Sequence, residues 1–352
     1  MKINQMETPV LVLDLDKMEE NIRTMKKLTD ACGIALRPHY KSHKSPQIAA
    51  WQMEAGAVGI TCSKLGEAED LAEAGIKDIL IANQVIDAGK IARLVHLAKK
   101  CRLGVCVDDE ENIRNLEKAA ALAGSSFYCL IEYEVGMLRC GVETKEEFLR
   151  LAKIIKACPH LEYEGIQAYA GHMAHWEDGE VRKTGSQKVD ERVKELIDYL
   201  AANNMPARTV SGISTGTANF KGKGIYTEMQ AGSYLFMDGA YGALKLNFIN
   251  ALFILSDVMS LKKDRIITDA GLKSMATDQG PPQLKGHPGA ELNLSEEHTM
   301  FLLPDHDYKV GDKVFIIPSH GCTTVNLYDK IHLVRGDEVI GIVDVTSRGK
   351  SL

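Results

Sequence analysis

The segment RLGVCVDDEENIRNLEKAAALAGSSFYCLIEYEV (102–135) shows the pattern that predicts the fold class. Its two ends, residues 102–109 and 127–135, are continuous apolar runs of the kind that form strands buried on both faces. The segment between them, ENIRNLEKAAALA (111–123), places its apolar residues at helical spacing. A buried strand, a helix and a second buried strand are typical of a parallel sheet. The stretch therefore predicts an α/β protein.

The same alternation extends to both sides of this central unit. Six more strand-like runs occupy residues 9–15, 34–40, 58–63, 78–84, 163–171 and 208–214. Helical patterns cover residues 15–31 and 188–204 among the segments between them. Eight strand runs over roughly 240 residues match a closed (β/α)₈ barrel of the TIM type. An open, doubly wound sheet is the structural alternative.

The pattern changes after about residue 245, where short strands are separated by polar turns. The runs are 251–261, 265–271, 298–304, 312–318, 330–336 and 338–345. They predict an antiparallel β domain, so we expect a barrel over residues 1–245 and a β domain over residues 246–352. The run 9–15 could also pair with the second domain, and the sequence leaves that point open.

Composition limits the functions that are possible. The 352 residues include 42 Lys and Arg against 48 Asp and Glu, so the formal net charge is −6, without the basic stripe of a nucleic-acid-binding protein. Hydrophobic residues make up 45%, too many for a disordered chain, but no apolar run is long enough to span a membrane. Acidic residues interrupt the N-terminus where an export signal needs an apolar core. Several of the eight cysteines lie inside apolar runs, so we expect buried free thiols instead of disulfides. Free thiols are typical of the reducing cytoplasm, which is therefore the expected location.

The loop LRPHYKSHKSP (36–46) follows a predicted strand and precedes a predicted helix. At that junction a barrel carries its catalytic groups. The loop contains five basic residues: Arg37, His39, Lys41, His43 and Lys44. Crowded positive charges lower the pKa of a lysine, which makes its amine nucleophilic and able to form a Schiff base. A solvated basic loop is the alternative interpretation.

Two further segments are rich in glycine and hydroxyl side chains. VSGISTGTANF (210–220) follows the last predicted barrel strand, where barrels often bind phosphate through backbone N–H groups. YTEMQAGSYLFMDGAYG (226–242) could extend such a phosphate site. Taken alone, the first segment also fits an ordinary turn, and the second fits a hinge between domains.

Two histidine-containing segments could bind metal or move protons. In IIPSHGCTTVNLYD (316–329), His320 and Cys322 are two residues apart, so on an extended strand they would face the same side. Imidazole and thiolate together suit zinc, and two ligands leave the site open for substrate. GIQAYAGHMAHWED (165–178) carries His172 and His175 just after a strand end, as candidates for metal ligands, acid–base groups or loop packing.

Taken in order, these motifs resemble the D-threonine aldolase and D-serine dehydratase family. The matching motifs are RPHxKxHK, QAYxG, TGT, YTExQAGSYxFMDxxYG, DAGLKS and PSHxxxTxNLxD, and the resemblance runs nearly from end to end. Members of the family use pyridoxal phosphate on the alanine-racemase-like fold (fold type III) and form homodimers. The resemblance therefore implies a barrel followed by a β domain, with the active site between them.

The resemblance also implies roles for individual residues. Lys41 would hold pyridoxal phosphate through its amine, and Arg139 would face the cofactor ring or its O3′. Ser63 and Tyr169 would lie beside the cofactor. The phosphate would be contacted by Thr215, Gly216, Gly232, Ser233 and Tyr241. His320 and Cys322 would bind a divalent metal, zinc by preference or else manganese or magnesium, and His175 matches the catalytic histidine of the family.

These roles imply a lyase that acts on a small D-β-hydroxy amino acid. His175 and the segments 226–242 and 269–282 favour aldol cleavage to glycine and an aldehyde. Cys322 instead resembles the dehydratases, which convert D-serine or D-3-hydroxyaspartate into a 2-oxo acid and ammonia. His172 stands where the family usually has serine, and it could be a third metal ligand. An amino-acid racemase needs no metal, and a non-catalytic pyridoxal phosphate carrier lacks the second domain, so both fit less well.

Overall fold

The computed structural model describes residues 1–352. The chain forms two compact units, and each unit is assembled from several stretches of sequence. The barrel unit consists of Lys26–Lys41, Ala49–Gly232 and Lys350–Leu352. The sheet unit consists of Met1–Met25, Ser42–Ile48 and Ser233–Gly349.

The chain contains seventeen strands and nine α-helices, numbered here in chain order. The strands are β1 (Val10–Asp14), β2 (Ala35–Leu36), β3 (Ile60–Cys62), β4 (Asp78–Gln84), β5 (Arg102–Val107), β6 (Phe127–Glu132), β7 (Leu161–Ala168), β8 (Thr209–Gly212), β9 (Glu228–Met229), β10 (Leu252–Lys262), β11 (Arg265–Thr268), β12 (Gln283–Leu284), β13 (Leu292–Leu294), β14 (Thr299–Leu302), β15 (Lys313–Ile317), β16 (Lys330–Arg335) and β17 (Glu338–Asp344). The helices are α1 (Leu15–Cys32), α2 (Pro46–Glu54), α3 (Leu65–Glu73), α4 (Ala88–Leu97), α5 (Glu110–Ala123), α6 (Lys145–Lys156), α7 (Gly179–Ala202), α8 (Gly239–Gly242) and α9 (Gly321–Val325). None of the helices combines the length and the apolar character that crossing a bilayer requires.

The central unit forms as its sequence predicts, with β5, α5 and β6 in succession. Helix α5 begins where the Asp109 side chain accepts a hydrogen bond from the Asn112 N–H at 2.8 Å. It ends at Gly124, whose φ of +62° is the left-handed conformation that commonly terminates helices. Strands β5 and β6 are parallel neighbours, with Val105 opposite Cys129.

Eight parallel strands form the barrel in the order β2-β9-β8-β7-β6-β5-β4-β3. The two ends of this order are also joined. His39 and Thr61 form a parallel bridge, and the Thr61 N–H donates to the Pro38 carbonyl at 2.9 Å. A second bond of 2.9 Å runs from the Val58 N–H to the Leu36 carbonyl. The predicted closed barrel is therefore confirmed, and the open doubly wound sheet is wrong.

One of the eight strand runs counted for the barrel does not belong to it. Strand β1, from the run 9–15, pairs antiparallel with β10 and parallel with β16 in the sheet unit. The missing barrel strand is β9, which pairs with β2 and β8. The sequence pattern does not predict β9, because a strand of two residues contains no apolar run. The units accordingly divide at Gly232 and Ser233 instead of at residue 245, and Met1–Met25 joins the sheet unit.

The sheet unit is a nine-stranded sheet whose main path is β13-β14-β11-β10-β1-β16-β17. Strand β15 pairs with β10, and β12 pairs with β15. All of these pairings are antiparallel except that of β1 with β16, so the predicted antiparallel domain needs that one correction. One core cluster contains Ile3, Met6, Val12, Phe253, Leu255 and Val334.

A buried ion-pair cluster crosses the barrel where β4 and β9 begin. The Arg37 side chain is only 3% exposed, and its Nη1 lies 2.7 Å from Asp78 Oδ1. Its Nη2 and Nε bind the two carboxylate oxygens of Glu228 at 2.8 and 2.9 Å. A Cβ on Gly59 would lie 2.1 Å from the guanidinium, so glycine makes room for it. These ion pairs connect Arg37, which follows β2, to the first residues of β4 and β9.

Replacement of Arg37 by methionine should destabilise the barrel strongly. The change leaves the carboxylate of Glu228 without its partner, whereas Asp78 keeps its pair with Arg102, and breaking a buried pair in this way costs about 3–5 kcal/mol. The free energy of unfolding from urea denaturation measures the loss. Arg23→Met removes an exposed pair with Glu20 and should cost less than about 1 kcal/mol. Equal losses in the two variants would show that the cluster does not stabilise the barrel.

Candidate active site

The barrel-unit candidates all follow the carboxyl ends of barrel strands. Lys41 lies in a 3₁₀ turn, Tyr40–Ser42, after β2, and Ser63 directly follows β3. Tyr169 follows β7, and Thr215 opens the 3₁₀ segment Thr215–Phe220 after β8. These are the positions at which barrels of this type carry their active-site groups.

Lys41, Arg139 and Tyr169 come together. The Lys41 Nζ lies 5.5 Å from the centroid of the Tyr169 ring, and the Arg139 guanidinium carbon lies 6.0 Å from the same centroid. Arg139 Nη2 is also held 3.3 Å from Oε1 of the buried Glu132. An amine, a guanidinium and an aromatic face therefore share one place at the end of the barrel.

A second carboxylate shapes the loop that carries Arg139. Glu134, which is 8% exposed, accepts hydrogen bonds from the backbone N–H groups of Gly136 and Arg139. Between them, Leu138 adopts a left-handed conformation with φ of +51°. Neither Glu132 nor Glu134 was identified from the sequence, because a glutamate at a strand end belongs to no recognisable motif.

The basic loop is less crowded than its sequence suggests. Arg37 is engaged in the ion-pair cluster where β4 and β9 begin, and His43 is fully buried with its ring edge-on to Phe236. The prediction that all five cations crowd Lys41 is therefore wrong for these two residues. His39 contacts the backbone of Lys41, since its Nδ1 accepts the Lys41 backbone N–H at 3.2 Å.

Ser63 belongs to the same small group. Its hydroxyl lies 3.3 Å from His39 Nε2, and its N–H donates to Glu67 at 2.8 Å. Through His39, Ser63 is linked to the backbone of Lys41. The structure thus places this candidate beside the lysine loop.

The segment after β8 has the features of an anion-binding turn. Thr215 and Gly216 begin the 3₁₀ turn that follows β8, so their backbone N–H groups lie at its N-terminal end. The hydroxyls of Ser214 and Thr217 lie 3.2 Å apart beside them. A Cβ on Gly216 would lie 2.0 Å from the Ala174 carbonyl oxygen, so the backbone approaches closely there. These donors fit the phosphate group of pyridoxal phosphate.

His172 and His175 lie in the loop after β7. The His172 ring packs edge-on to Trp176, with centroids 5.9 Å apart, and it covers Gly136. Burial lowers the pKa of His172, so it is neutral at neutral pH. These ring contacts are with loop residues, and the neutral imidazole keeps all three predicted roles of His172 open. His175 is half-buried and directly follows Ala174, the residue that contacts Gly216.

In the sheet unit, Ser233 begins a 3₁₀ turn, Ser233–Leu235, and Tyr241 lies in the short helix α8. Gly232, which is buried, is the last residue of the barrel unit before this turn. The N-cap of α8 is Asp238, whose Oδ1 accepts the Tyr241 N–H at 2.9 Å.

His320 and Cys322 contact each other, although not in the predicted way. His320 is the extended N-cap of α9 and Cys322 lies inside that helix, so the prediction of one shared strand face is wrong. The helix begins there because Asp238 Oδ2 accepts the Gly321 N–H at 2.8 Å. The Cys322 thiol lies 3.5 Å from Ser42 Oγ and 3.9 Å from Ser233 Oγ.

Asp278, which was not identified from the sequence, binds His320 Nδ1 at 2.6 Å. Burial lowers the pKa of His320, but hydrogen bonding and charge from Cys322 and Asp278 outweigh burial and raise that pKa to about 9. A carboxylate on Nδ1 is the usual partner of a metal-bound histidine, and it directs Nε2 to the metal. The donor set thus fits a divalent metal, although no three side chains form a complete metal cluster. Asp278 lies 42 residues before His320 in the sequence, and that separation does not indicate that the two side chains meet.

Known proteins share both parts of this architecture. Residues 13–239 match the family model of the alanine racemase N-terminal domain, and residues 251–334 match the putative serine dehydratase domain. The chain is 40% identical to a 3-hydroxy-D-aspartate aldolase of Paracoccus denitrificans, over 99% of this chain and 93% of that protein. It is 30% identical to a D-threo-3-hydroxyaspartate dehydratase of Delftia sp., over 91% of this chain and 92% of that protein.

A solved structure agrees with these matches. The structure of D-threonine aldolase from Filomicrobium marinum superposes with a TM-score of 0.96 at 35% identity, covering 100% of this chain and 98% of that one. The sequence and structure comparisons thus extend over the whole chain. The chain belongs to the D-threonine aldolase and D-serine dehydratase family of alanine-racemase-like, pyridoxal phosphate-dependent lyases.

Proposed function

We propose that the protein cleaves D-β-hydroxy amino acids to glycine and an aldehyde, in a reaction of the D-threonine aldolase type. The observation that carries this proposal is the grouping of Lys41 and Arg139 around the Tyr169 ring at the carboxyl end of the barrel. The higher identity to an aldolase, 40%, than to a dehydratase, 30%, supports aldol cleavage.

The barrel unit would hold the cofactor. Lys41 would hold pyridoxal phosphate through its amine, the Tyr169 ring would lie beside the cofactor, and Arg139 would face its ring or O3′. Ser63 supports the lysine loop through His39. The phosphate donors in this unit would be Thr215, Gly216 and Gly232, and the family resemblance adds Ser233 and Tyr241. When bound, the cofactor supplies an electron sink for the bond that breaks at Cα.

The sheet unit would hold the divalent metal through His320 and Cys322. Asp278 keeps His320 oriented by binding its Nδ1. The thiolate favours zinc, with manganese or magnesium as alternatives. When bound, the metal lowers the pKa of a coordinated hydroxyl group by stabilising the alkoxide. Within the sheet unit, the Cys322 thiol also lies 3.5 Å from Ser42 Oγ.

His175 would take the proton from the β-hydroxyl of the substrate, either directly or through water. It follows the carboxyl end of β7, the strand that precedes Tyr169. The contact between Ala174 and Gly216 connects the His175 segment to the phosphate turn. Loss of this proton allows the Cα–Cβ bond to break and the aldehyde to leave.

Dehydration of D-serine or D-3-hydroxyaspartate is the second candidate, and Cys322 is the residue that favours it. In that reaction Lys41 would remove the Cα proton and the β-hydroxyl would leave as hydroxide, and hydrolysis of the resulting enamine by water would give a 2-oxo acid and ammonia. The two reactions use the same residues but break different bonds, so their products distinguish them.

We also propose that the enzyme is a cytoplasmic homodimer. All eight cysteines are free thiols, which supports a reducing compartment. The family resemblance supports the dimer, and light scattering during gel filtration measures it.

Product analysis tests the reaction. Incubation of the protein with D-threonine, pyridoxal phosphate and Mn²⁺ should yield glycine and acetaldehyde in equal amounts. Lys41→Arg should lose this activity and the visible absorbance of the bound cofactor, because arginine keeps the charge but stays protonated and cannot bond to the aldehyde. Formation of 2-oxobutanoate and ammonia instead would assign the dehydratase reaction, and full activity in Lys41→Arg would remove the lysine from its role.

Metal preference tests the ligand role of Cys322. In Cys322→Asp a carboxylate replaces a soft thiolate, so the ratio of Zn²⁺ to Mn²⁺ affinity should fall by about tenfold or more. Competition binding with the full-length protein measures the ratio. Cys158→Asp, at a half-buried cysteine of the barrel unit, makes the same chemical change elsewhere and should leave the ratio unchanged. A constant ratio in Cys322→Asp would mean that the thiol is not a ligand.

Gly216→Ala should weaken cofactor binding and slow turnover together. The added methyl group would lie 2.0 Å from the Ala174 carbonyl, so the phosphate turn or the His175 segment must move. A displacement of about 1 Å can reduce kcat about 10²-fold. Gly222→Ala is the matched control, because no atom lies within 4 Å of its added methyl group. Steady-state kinetics measures kcat, and cofactor titration measures the affinity for pyridoxal phosphate. Equal kcat and equal affinity in Gly216→Ala and Gly222→Ala would contradict the proposed phosphate site.

A further inference from the structure

A buried carboxylate joins two loops of the sheet unit. Asp238 is 1% exposed, and each of its oxygens accepts one backbone N–H. Oδ1 binds the Tyr241 N–H at 2.9 Å, within its own loop. Oδ2 binds the Gly321 N–H at 2.8 Å, in a loop more than eighty residues further along the chain. One side chain thus sets the backbone geometry of both loops.

Further contacts run beside this carboxylate. The Gly239 N–H donates to the Pro318 carbonyl at 2.9 Å, and the Ala240 N–H donates to the Ser319 carbonyl at 3.1 Å. The hydroxyl of Ser233 lies 3.9 Å from the Cys322 thiol. Segments 233–241 and 318–322 are therefore one hydrogen-bonded body, centred on Asp238.

The two segments carry different ligand groups. Ser233 and Tyr241 belong to the proposed phosphate site, whereas His320 and Cys322 are the proposed metal ligands. We infer that Asp238 is a positioning residue that couples cation binding to cofactor binding, so that each ligand tightens the binding of the other. This inference rests on the proposed function and adds to it an interaction between its two sites.

The physical basis is shared ordering of the two loops. A ligand that orders one segment also orders its hydrogen-bonded neighbour, so the second ligand loses less conformational freedom on binding. Buried charge-assisted bonds to backbone N–H groups are strong enough to transmit this constraint. Coupling of this kind is reciprocal, because the two ligands share one thermodynamic cycle.

Binding measurements on the full chain test the inference without turnover. The dissociation constant of Mn²⁺ is measured with and without pyridoxal phosphate, and that of pyridoxal phosphate with and without Mn²⁺. We expect each ligand to improve the affinity of the other by the same factor, about fivefold or more. Affinities for Mn²⁺ that do not respond to the cofactor would overturn the inference.

The Asp238→Asn variant tests whether the Asp238 carboxylate is needed for the coupling between Mn²⁺ and cofactor binding. An amide retains one acceptor oxygen but turns an NH₂ group towards the second N–H, so the coupling factor should fall to within about twofold of one. Asp269→Asn is the control. Asp269 is a carboxylate of the same unit that accepts from Thr8, Ser256 and the Asp257 N–H, and it touches neither segment. Asp269→Asn should keep the wild-type coupling factor between Mn²⁺ and pyridoxal phosphate. An equal loss of coupling in both variants would mean that Asp238 has only a general structural role.

Hydrogen exchange in the wild-type protein provides a test that needs no variant. Pyridoxal phosphate alone should slow amide exchange in segment 318–322, and Mn²⁺ alone should slow it in segment 233–241. Protection confined to the segment that binds each ligand would overturn the coupling. Failure of the proposed function looks different, because it would appear as missing lyase products or as a visible cofactor band that survives Lys41→Arg.

Discussion

Closure of the barrel between β2 and β3 is the contact on which the cofactor site depends. The bridge between His39 and Thr61 and the bond from the Thr61 N–H to Pro38 fix the backbone two residues before Lys41. Because all eight strands run parallel, their carboxyl ends meet at one rim, and loops that are distant in sequence converge there. The buried guanidinium of Arg37 is paired with the first residues of β4 and β9.

Carboxylates organise the functional loops in both units, although none of them is itself a proposed catalytic group. Glu134 shapes the Arg139 loop through two backbone N–H groups. Asp278 orients His320, and Asp238 joins the α8 and α9 loops. A carboxylate accepts several hydrogen bonds at once, so it can hold an irregular backbone that has no strand or helix partner. This arrangement places reactive side chains on loops without leaving them loosely held.

The differences between expectation and structure have specific causes. Residues 9–15 look like a barrel strand because buried strands read alike in any sheet, and only their pairing with β10 and β16 reveals the sheet unit. Strand β9 has two residues and no pattern of its own. His320 and Cys322 do meet, but through a helix N-terminus instead of a strand face. Arg37 and His43 lie within six residues of Lys41, yet their side chains are engaged elsewhere.

The fold class, the family and the candidate reactive residues could be predicted from the amino-acid sequence. Apolar periodicity reports which faces are buried, and ordered motifs identify chemistry through residue types that few other functions require. Three features became visible only in the folded chain: the strands that close the barrel, the grouping of Lys41 and Arg139 around Tyr169, and the contacts of Asp238 and Asp278 with the loop of His320 and Cys322. These features depend on contacts between residues far apart in the chain. The sequence around a single acidic residue does not predict which distant residue it will bind.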